Sequence, residues 1–148
     1  MAPGADGAAL RVGRTTARVR YPEIDRMGVA HHAVYLIWFE LGRTELMREC
    51  GCPYGEVEER EGILFPVVDL GCRFLAPARY DEVLDITTRL TAAKGARVRF
   101  EYQVERSAGP VRLAEGYTVH AAVGCDGRPC RLPEELSVRL VGPGGQTA

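Results

Sequence analysis

Along residues 14–21 apolar and polar side chains alternate, with Thr15, Ala17, Val19 and Tyr21 on one face and Arg14, Thr16, Arg18 and Arg20 on the other. A period of two predicts a half-buried strand. Pro22 blocks its continuation and Met27-Gly28 marks a loop. From about Ala33 to Glu49 the pattern becomes helical. The half running from Val34 to Phe39 is apolar on nearly every side, while the second half carries Glu40, Arg43, Glu45, Arg48 and Glu49. A helix that is apolar all round at one end must be enclosed there by other elements. Gly51 and Pro53 supply its stop. A short second helix is expected over Glu56–Glu61.

Four further alternating segments follow. In 67–75, Val68, Leu70, Cys72 and Phe74 share a face; in 82–90, Leu84, Ile86, Thr88 and Leu90 do. The cleanest is 97–106, with Val98, Phe100, Tyr102 and Val104 opposite Arg97, Arg99, Glu101, Gln103 and Glu105. In 112–123 the expected core face is Leu113, Tyr117, Val119, Ala121 and Val123, which sends His120 to the surface. Pro77–Tyr80, Lys94-Gly95, Ala108-Gly109-Pro110 and Asp126-Gly127 are breaks and turns, and Pro133–Leu136 starts a terminal helical turn. Strand, long helix, then four strands on short connections implies an antiparallel sheet with one apolar face. Only the long helix is apolar enough to cover that face. The expected architecture is therefore α+β, a hotdog fold: a curved antiparallel sheet of about five strands wrapped around one central helix. An edge or face left uncovered favours pairing of sheets between copies.

Composition narrows the class without changing this picture. The 148 residues suit one domain, expected over residues 11–141, with Gly-, Ala- and Pro-rich ends at 1–10 and 142–148 that read as flexible. Nineteen basic against twenty acidic residues offer no polyanion-binding surface, so nucleic acid is not an expected partner. The longest apolar run, Ala33–Phe39, is far too short for a membrane span, and the N-terminus lacks a signal-peptide pattern. Five cysteines without C-x-x-C spacing read as free thiols in a reducing cytoplasm; Cys50 and Cys52 make half of a metal site at most.

The chemistry concentrates between the first strand and the long helix. Asp25 lies in the loop, and seven residues later, at His32 and Ala33, the helix begins. A helix N-terminus presents unpaired backbone N–H groups and partial positive charge, which suit an oxyanion forming on a carbonyl. A carboxylate opposite them can attack that carbonyl or deprotonate a water. Together they make a minimal hydrolase for an activated acyl group. Asp25 equally suits a plain turn or helix cap.

The stretch Tyr21, Glu23, Asp25, Gly28, His32, Tyr35, Trp38, Phe39, Glu40 and Arg43 resembles the motif of the hotdog-fold acyl-CoA thioesterases of the 4-hydroxybenzoyl-CoA thioesterase family, in particular its Tol–Pal-associated branch. Phe65–Val68, Arg73–Glu82 and Arg131–Leu136 look similar too, so the resemblance spans residues 14–140. It implies hydrolysis of an acyl-CoA to free acid and coenzyme A. Asp25 would be the catalytic carboxylate, as nucleophile or general base, and the His32 and Ala33 amides the oxyanion donors. The His32 and Tyr21 side chains would orient the acid or the water. The family needs no metal or cofactor and forms homodimers and homotetramers with sites at subunit interfaces. A related branch places its acid on the helix, which makes Glu40 the alternative; Glu40 and Arg43 also read as an ordinary ion pair. Lys94, Arg97 and Arg99, then Arg73, Arg79 and Arg128, are candidates for the phosphates of coenzyme A, and Trp38 for the acyl group. Each arginine equally suits a solvated strand face, and Trp38 a core position. His31, one place from the family histidine, reads as structural or exposed. Two other readings compete: a non-hydrolytic module binding acyl-CoA or acyl-carrier protein, and a hotdog enoyl hydratase or dehydratase.

Overall fold

The computed structural model describes residues 9–109 and 111–141. Five strands, β1 (Arg11–Arg18), β2 (Val67–Phe74), β3 (Val83–Lys94), β4 (Arg97–Arg106) and β5 (Val111–Ala121), form one antiparallel sheet in the order β1-β3-β4-β5-β2. The helices are α1 (Val34–Glu49), α2 (Tyr54–Glu61) and α3 (Glu134–Val141). Of the expected flexible ends, 1–8 and 142–148 fall outside the described residues. Leu10 is already tied to the sheet through its N–H on the Leu90 carbonyl at 2.8 Å.

The helix α1 lies on the sheet through Tyr35, Trp38, Phe39, Gly42 and Leu46, all buried. Phe39 is fully buried and stacks flat on Tyr102, centroids 4.3 Å apart. Burying a ring of this size removes roughly 1.5–3 kcal/mol of unfavourable hydration. Gly42 lets helix and sheet approach closely: a methyl there would run into the Thr88 side chain. The α2 helix starts two residues before the expected Glu56 and ends on Gly62, whose left-handed backbone (φ 64°) caps it.

Three expectations change. First, the break after β2 is a crossover rather than a short connection between neighbours: β2 pairs with β5 at the far edge, β3 with β1, and residues 75–82 cross between them. Second, β1 ends at Arg18, and Tyr21–Glu23 form a 3-10 turn with Pro22 inside it. Tyr21 thus leaves the strand parity that pointed it inward and stands 74% exposed, edge-on to Tyr80. Third, the faces of β5 are inverted beyond Leu113. The register slips there between β4 and β5, so Thr118 and His120 point inward, fully buried, and Tyr117, Val119 and Ala121 point outward. One residue of slip exchanges every side chain between faces.

Candidate active site

The loop between β1 and α1 is a small hairpin. Ile24 and Ala30 form an antiparallel bridge; the Asp25 N–H donates to the Val29 carbonyl (2.8 Å) and the His31 N–H to the Glu23 carbonyl (2.9 Å). At its tip the Gly28 N–H donates to the Asp25 carbonyl (2.9 Å), and Gly28 takes φ 78°, a conformation that favours glycine. The Asp25 side chain is half-buried. Its Oδ1 accepts the Met27 N–H at 2.8 Å, while Oδ2 has no hydrogen-bond partner among the described residues. Such an Asx turn fixes the carboxylate and leaves one oxygen free for chemistry.

Two further contacts anchor this hairpin. The Glu23 carboxylate is buried, accepts the Arg20 N–H at 2.7 Å and lies 3.3 Å from the Arg20 guanidinium as an ion pair. On its other side, Val29 bridges Arg79 and the Ala30 N–H donates to the Ala78 carbonyl, pinning it to the β2–β3 crossover. The hairpin therefore delivers the Asp25 turn and the beginning of α1 as one hydrogen-bonded piece.

At the start of α1 the amides divide unevenly. The Val34 N–H donates to the His31 carbonyl (2.9 Å) and the Ala33 N–H to His31 Nδ1 (3.1 Å). The Ala33 amide, expected as an oxyanion donor, is thus already engaged. The His32 amide has no acceptor among the described residues, and its side chain is exposed against the His31 ring, centroids 4.1 Å apart.

Other candidates are placed apart from this turn. Trp38 is a core residue, 2% exposed and edge-on to Tyr35, so it presents no free face to a substrate. Glu40 is exposed, 3.9 Å from Arg43, and about 12 Å along the helix from His32. Lys94 and Arg97 pair across the β3–β4 hairpin, at the end of β3 remote from Arg79 and so on the order of 30 Å along the strand from the Asp25 turn. Arg99 is committed to the outer sheet face, over the Tyr117 ring (4.3 Å) and bridged to Glu101 (3.3 Å). Arg73 bridges Glu115 at 3.8 Å and Arg128 sits in an exposed turn. Arg79 alone of these arginines borders the Asp25 hairpin, backbone to backbone.

The sequence pattern missed one cluster completely. His120, 1% exposed, has Nδ1 at 3.0 Å from the Phe65 carbonyl and Nε2 at 2.9 Å from Thr118 Oγ1, which lies 2.6 Å from the Tyr102 hydroxyl. Since a carbonyl only accepts, Nδ1 carries the proton, Nε2 accepts from Thr118, and Thr118 accepts from Tyr102. Burial lowers the His120 pKa below its ordinary value, the Phe65 hydrogen bond opposes this, and the Arg43 charge adds to it. Burial likewise pushes the Tyr54 and Tyr102 phenols up against the opposing Arg43 charge. The chain is neutral and internally satisfied, a structural device.

Cysteine offers no competing nucleophile in the interior. Burial raises the Cys72 thiol to about 11 and also raises Cys50 and Cys52. The Cys52 thiol donates to the Cys50 carbonyl at 3.5 Å, and no cluster of His, Cys, Asp or Glu with metal-binding geometry occurs among the described residues. One surface cleft among the described residues, about 500 Å³, lies on the outer sheet face around Gly71, Arg99 and Tyr117; another, about 70 Å³, lies between the end of α1, α2 and α3. Asp25 and His32 line neither.

A five-stranded antiparallel sheet around a central helix, with an acidic turn carried to that helix's N-terminus, defines a hotdog-fold protein of the thioesterase type. Residues 19–140 match the family described as the thioesterase-like superfamily, and the chain belongs to it. YneP of Bacillus subtilis (strain 168) is 34% identical over 104 residues, 70% of this chain and 75% of that protein. The acyl-CoA thioesterase YbgC of Haemophilus influenzae is 33% identical over 90 residues, 61% of this chain and 66% of that protein. Among solved structures, the hypothetical protein TT1821 from Thermus thermophilus is 43% identical, with a TM-score of 0.80 over 86% of this chain and 95% of that one. Membership places the chain among thioester hydrolases. No helix of the described residues is long and apolar enough to cross a membrane.

Proposed function

We propose that this protein is a cytoplasmic acyl-CoA thioesterase that works without a cofactor, with the Asp25 carboxylate as its acid and the His32 amide as its oxyanion donor. The observation that carries this reading is the hairpin: hydrogen bonds from Asp25 to Val29 and from His31 to Glu23 tie the acid's turn to the residues that open α1. The thioester carbonyl accepts from the His32 N–H, which favours the negative oxygen of a tetrahedral adduct. Asp25 Oδ2 either attacks the acyl carbon or takes a proton from the attacking water. The C–S bond then breaks and coenzyme A leaves as a thiolate that needs no strong acid; where Asp25 is the nucleophile, water then cleaves the Asp25–acyl anhydride and frees both acids, and where Asp25 is the base, the water itself supplies the second oxygen of the product acid.

A second copy of the chain completes the site in this reading. Its support is the apolar surface beside the turn: Val68, Leu70 and Phe74 along the edge strand β2 and Leu75 just past its end, each 44–51% exposed, with Met27 at 79% and Tyr80 at 53%. Exposed apolar surface on an unpaired edge favours association.

The test is release of free thiol from short-chain, medium-chain and aromatic acyl-CoAs. Asp25→Asn is expected to lower kcat by at least about 100-fold, the usual contribution of a positioned acid–base group. Glu40→Gln is expected to turn over like the unmodified protein. Full activity in Asp25→Asn, or its loss in Glu40→Gln alone, would move the acid to the helix.

A further inference from the structure

We propose that His31 is a positioning residue for the oxyanion-binding amide: it caps α1 with its imidazole and so holds in place the neighbouring His32 N–H, which has no acceptor among the described residues. The inference rests on the thioesterase reading and adds a second residue to its machinery.

Four contacts converge on His31. Its N–H donates to the Glu23 carbonyl (2.9 Å), which joins it to the arm leading to Asp25. Its carbonyl accepts the Val34 N–H (2.9 Å) and its Nδ1 accepts the Ala33 N–H (3.1 Å). Its ring lies against that of His32 at 4.1 Å and 31°. Backbone and side chain together thus satisfy two of the helix's orphan donors, work usually done by Ser, Thr, Asp or Asn. Accepting at Nδ1 requires a free lone pair there, so the proton of the neutral ring resides on Nε2.

The arrangement has a chemical consequence. With the Ala33 and Val34 amides occupied, an incoming carbonyl oxygen finds its donor on exposed His32, the residue between the cap and the capped positions. The direction of that N–H is set by the peptide joining His31 to His32. Both flanks of this peptide are held, by Glu23 on one side and by the His31 ring on the other. Without the cap the first turn of α1 frays and the donor loses its aim, while the surfaces that bind the rest of the substrate stay as they are.

The experiment compares His31→Ala with His31→Asn. Asparagine returns a side-chain oxygen of the right reach; alanine does not. Two readouts are taken: kcat and KM for one acyl-CoA by thiol release, and the hydrogen-exchange rate of the Ala33 amide. Expected for His31→Ala is a kcat lower by about tenfold, equal to about 1.4 kcal/mol of barrier, an unchanged KM, and faster exchange at Ala33. His31→Asn should recover most of kcat and slow the exchange again. A His31→Ala variant with undiminished or increased kcat would overturn the proposal, since the Ala33 amide would then be dispensable or a blocked second donor. Equal losses in both variants would overturn it as well. If the unmodified protein hydrolyses no thioester, the thioesterase reading fails by itself, and unchanged Ala33 exchange in His31→Ala separately overturns the cap.

Discussion

Beneath α1, Phe39 lies flat on Tyr102 and neither ring reaches solvent, whereas on β2 Leu70 and Phe74, on the same side of the sheet, remain 44% and 51% exposed. Width explains the contrast. Five strands spaced about 4.8 Å apart span about 19 Å between the outer two, and a helix with its side chains is about 10–12 Å across. A single helix cannot cover such a sheet. In this chain α1 packs on β1, β3 and β4, so the uncovered strand is β2, two places beyond β4 at the edge. The covered side is closed by stacked aromatics and a satisfied polar chain. The uncovered side borders the Asp25 turn. What the fold leaves unfinished is where this family's chemistry is proposed to occur.

Breaking the covered side should cost most. Phe39→Ala is expected to lower stability by about 3–5 kcal/mol in urea unfolding, because Gly116 below it cannot refill the space. Phe74→Ala, half in water already, should cost less than about 1 kcal/mol in the same assay. Equal losses would mean that the two sides are not distinct.

The next effect is on association. Leu70→Lys puts a charge on the exposed edge, a device that blocks strand pairing. The variant should remain folded by circular dichroism, halve its mass in light scattering, and lose thioester hydrolysis along with its partner. A Leu70→Lys protein of unchanged mass would place the contact between copies elsewhere.

These regions also differ in how legible they were. Faces of β3 and β4 follow directly from alternation, because Leu84, Ile86, Leu90, Val98, Phe100 and Val104 are apolar and all buried. The Asp25 turn is equally readable from the loop acid and the helix start seven residues on. Parity failed on β5, where the bulge at Leu113 inverts it, and where the inward Thr118 and His120 bond each other and find their remaining partners in Tyr102 and the Phe65 carbonyl, which lie on other segments of the chain. It failed on Tyr21 because a 3-10 turn containing Pro22 begins three residues beyond the last strand residue. The cap at His31 was hidden for another reason: imidazole is an uncommon cap, and no spacing rule flags it. The position of β2 beyond β5 depends on a crossover whose length resembles that of a hairpin.

The smallest expected effect concerns acid. His120 is held neutral in the folded protein, with its pKa below the ordinary value of about 6.5. Above that value neither the folded nor the unfolded chain binds a proton there, and the full stability is present. As pH falls below it, the unfolded chain takes up a proton that the folded one refuses. The unfolded state then binds more protons, so stability decreases, by up to about 1.4 kcal/mol per pH unit, until the folded pKa is reached and the loss levels off. Protonated His120 could not accept from Thr118, and the chain to Tyr102 would lose its direction. Urea unfolding from pH 7.5 to 5, compared between the unmodified protein and His120→Gln, isolates this contribution because the carboxylates titrate alike in both. The variant should start less stable and lose less on acidification. Parallel curves would mean that the covered side is indifferent to this proton, and that its closure depends on the apolar packing around Phe39 alone.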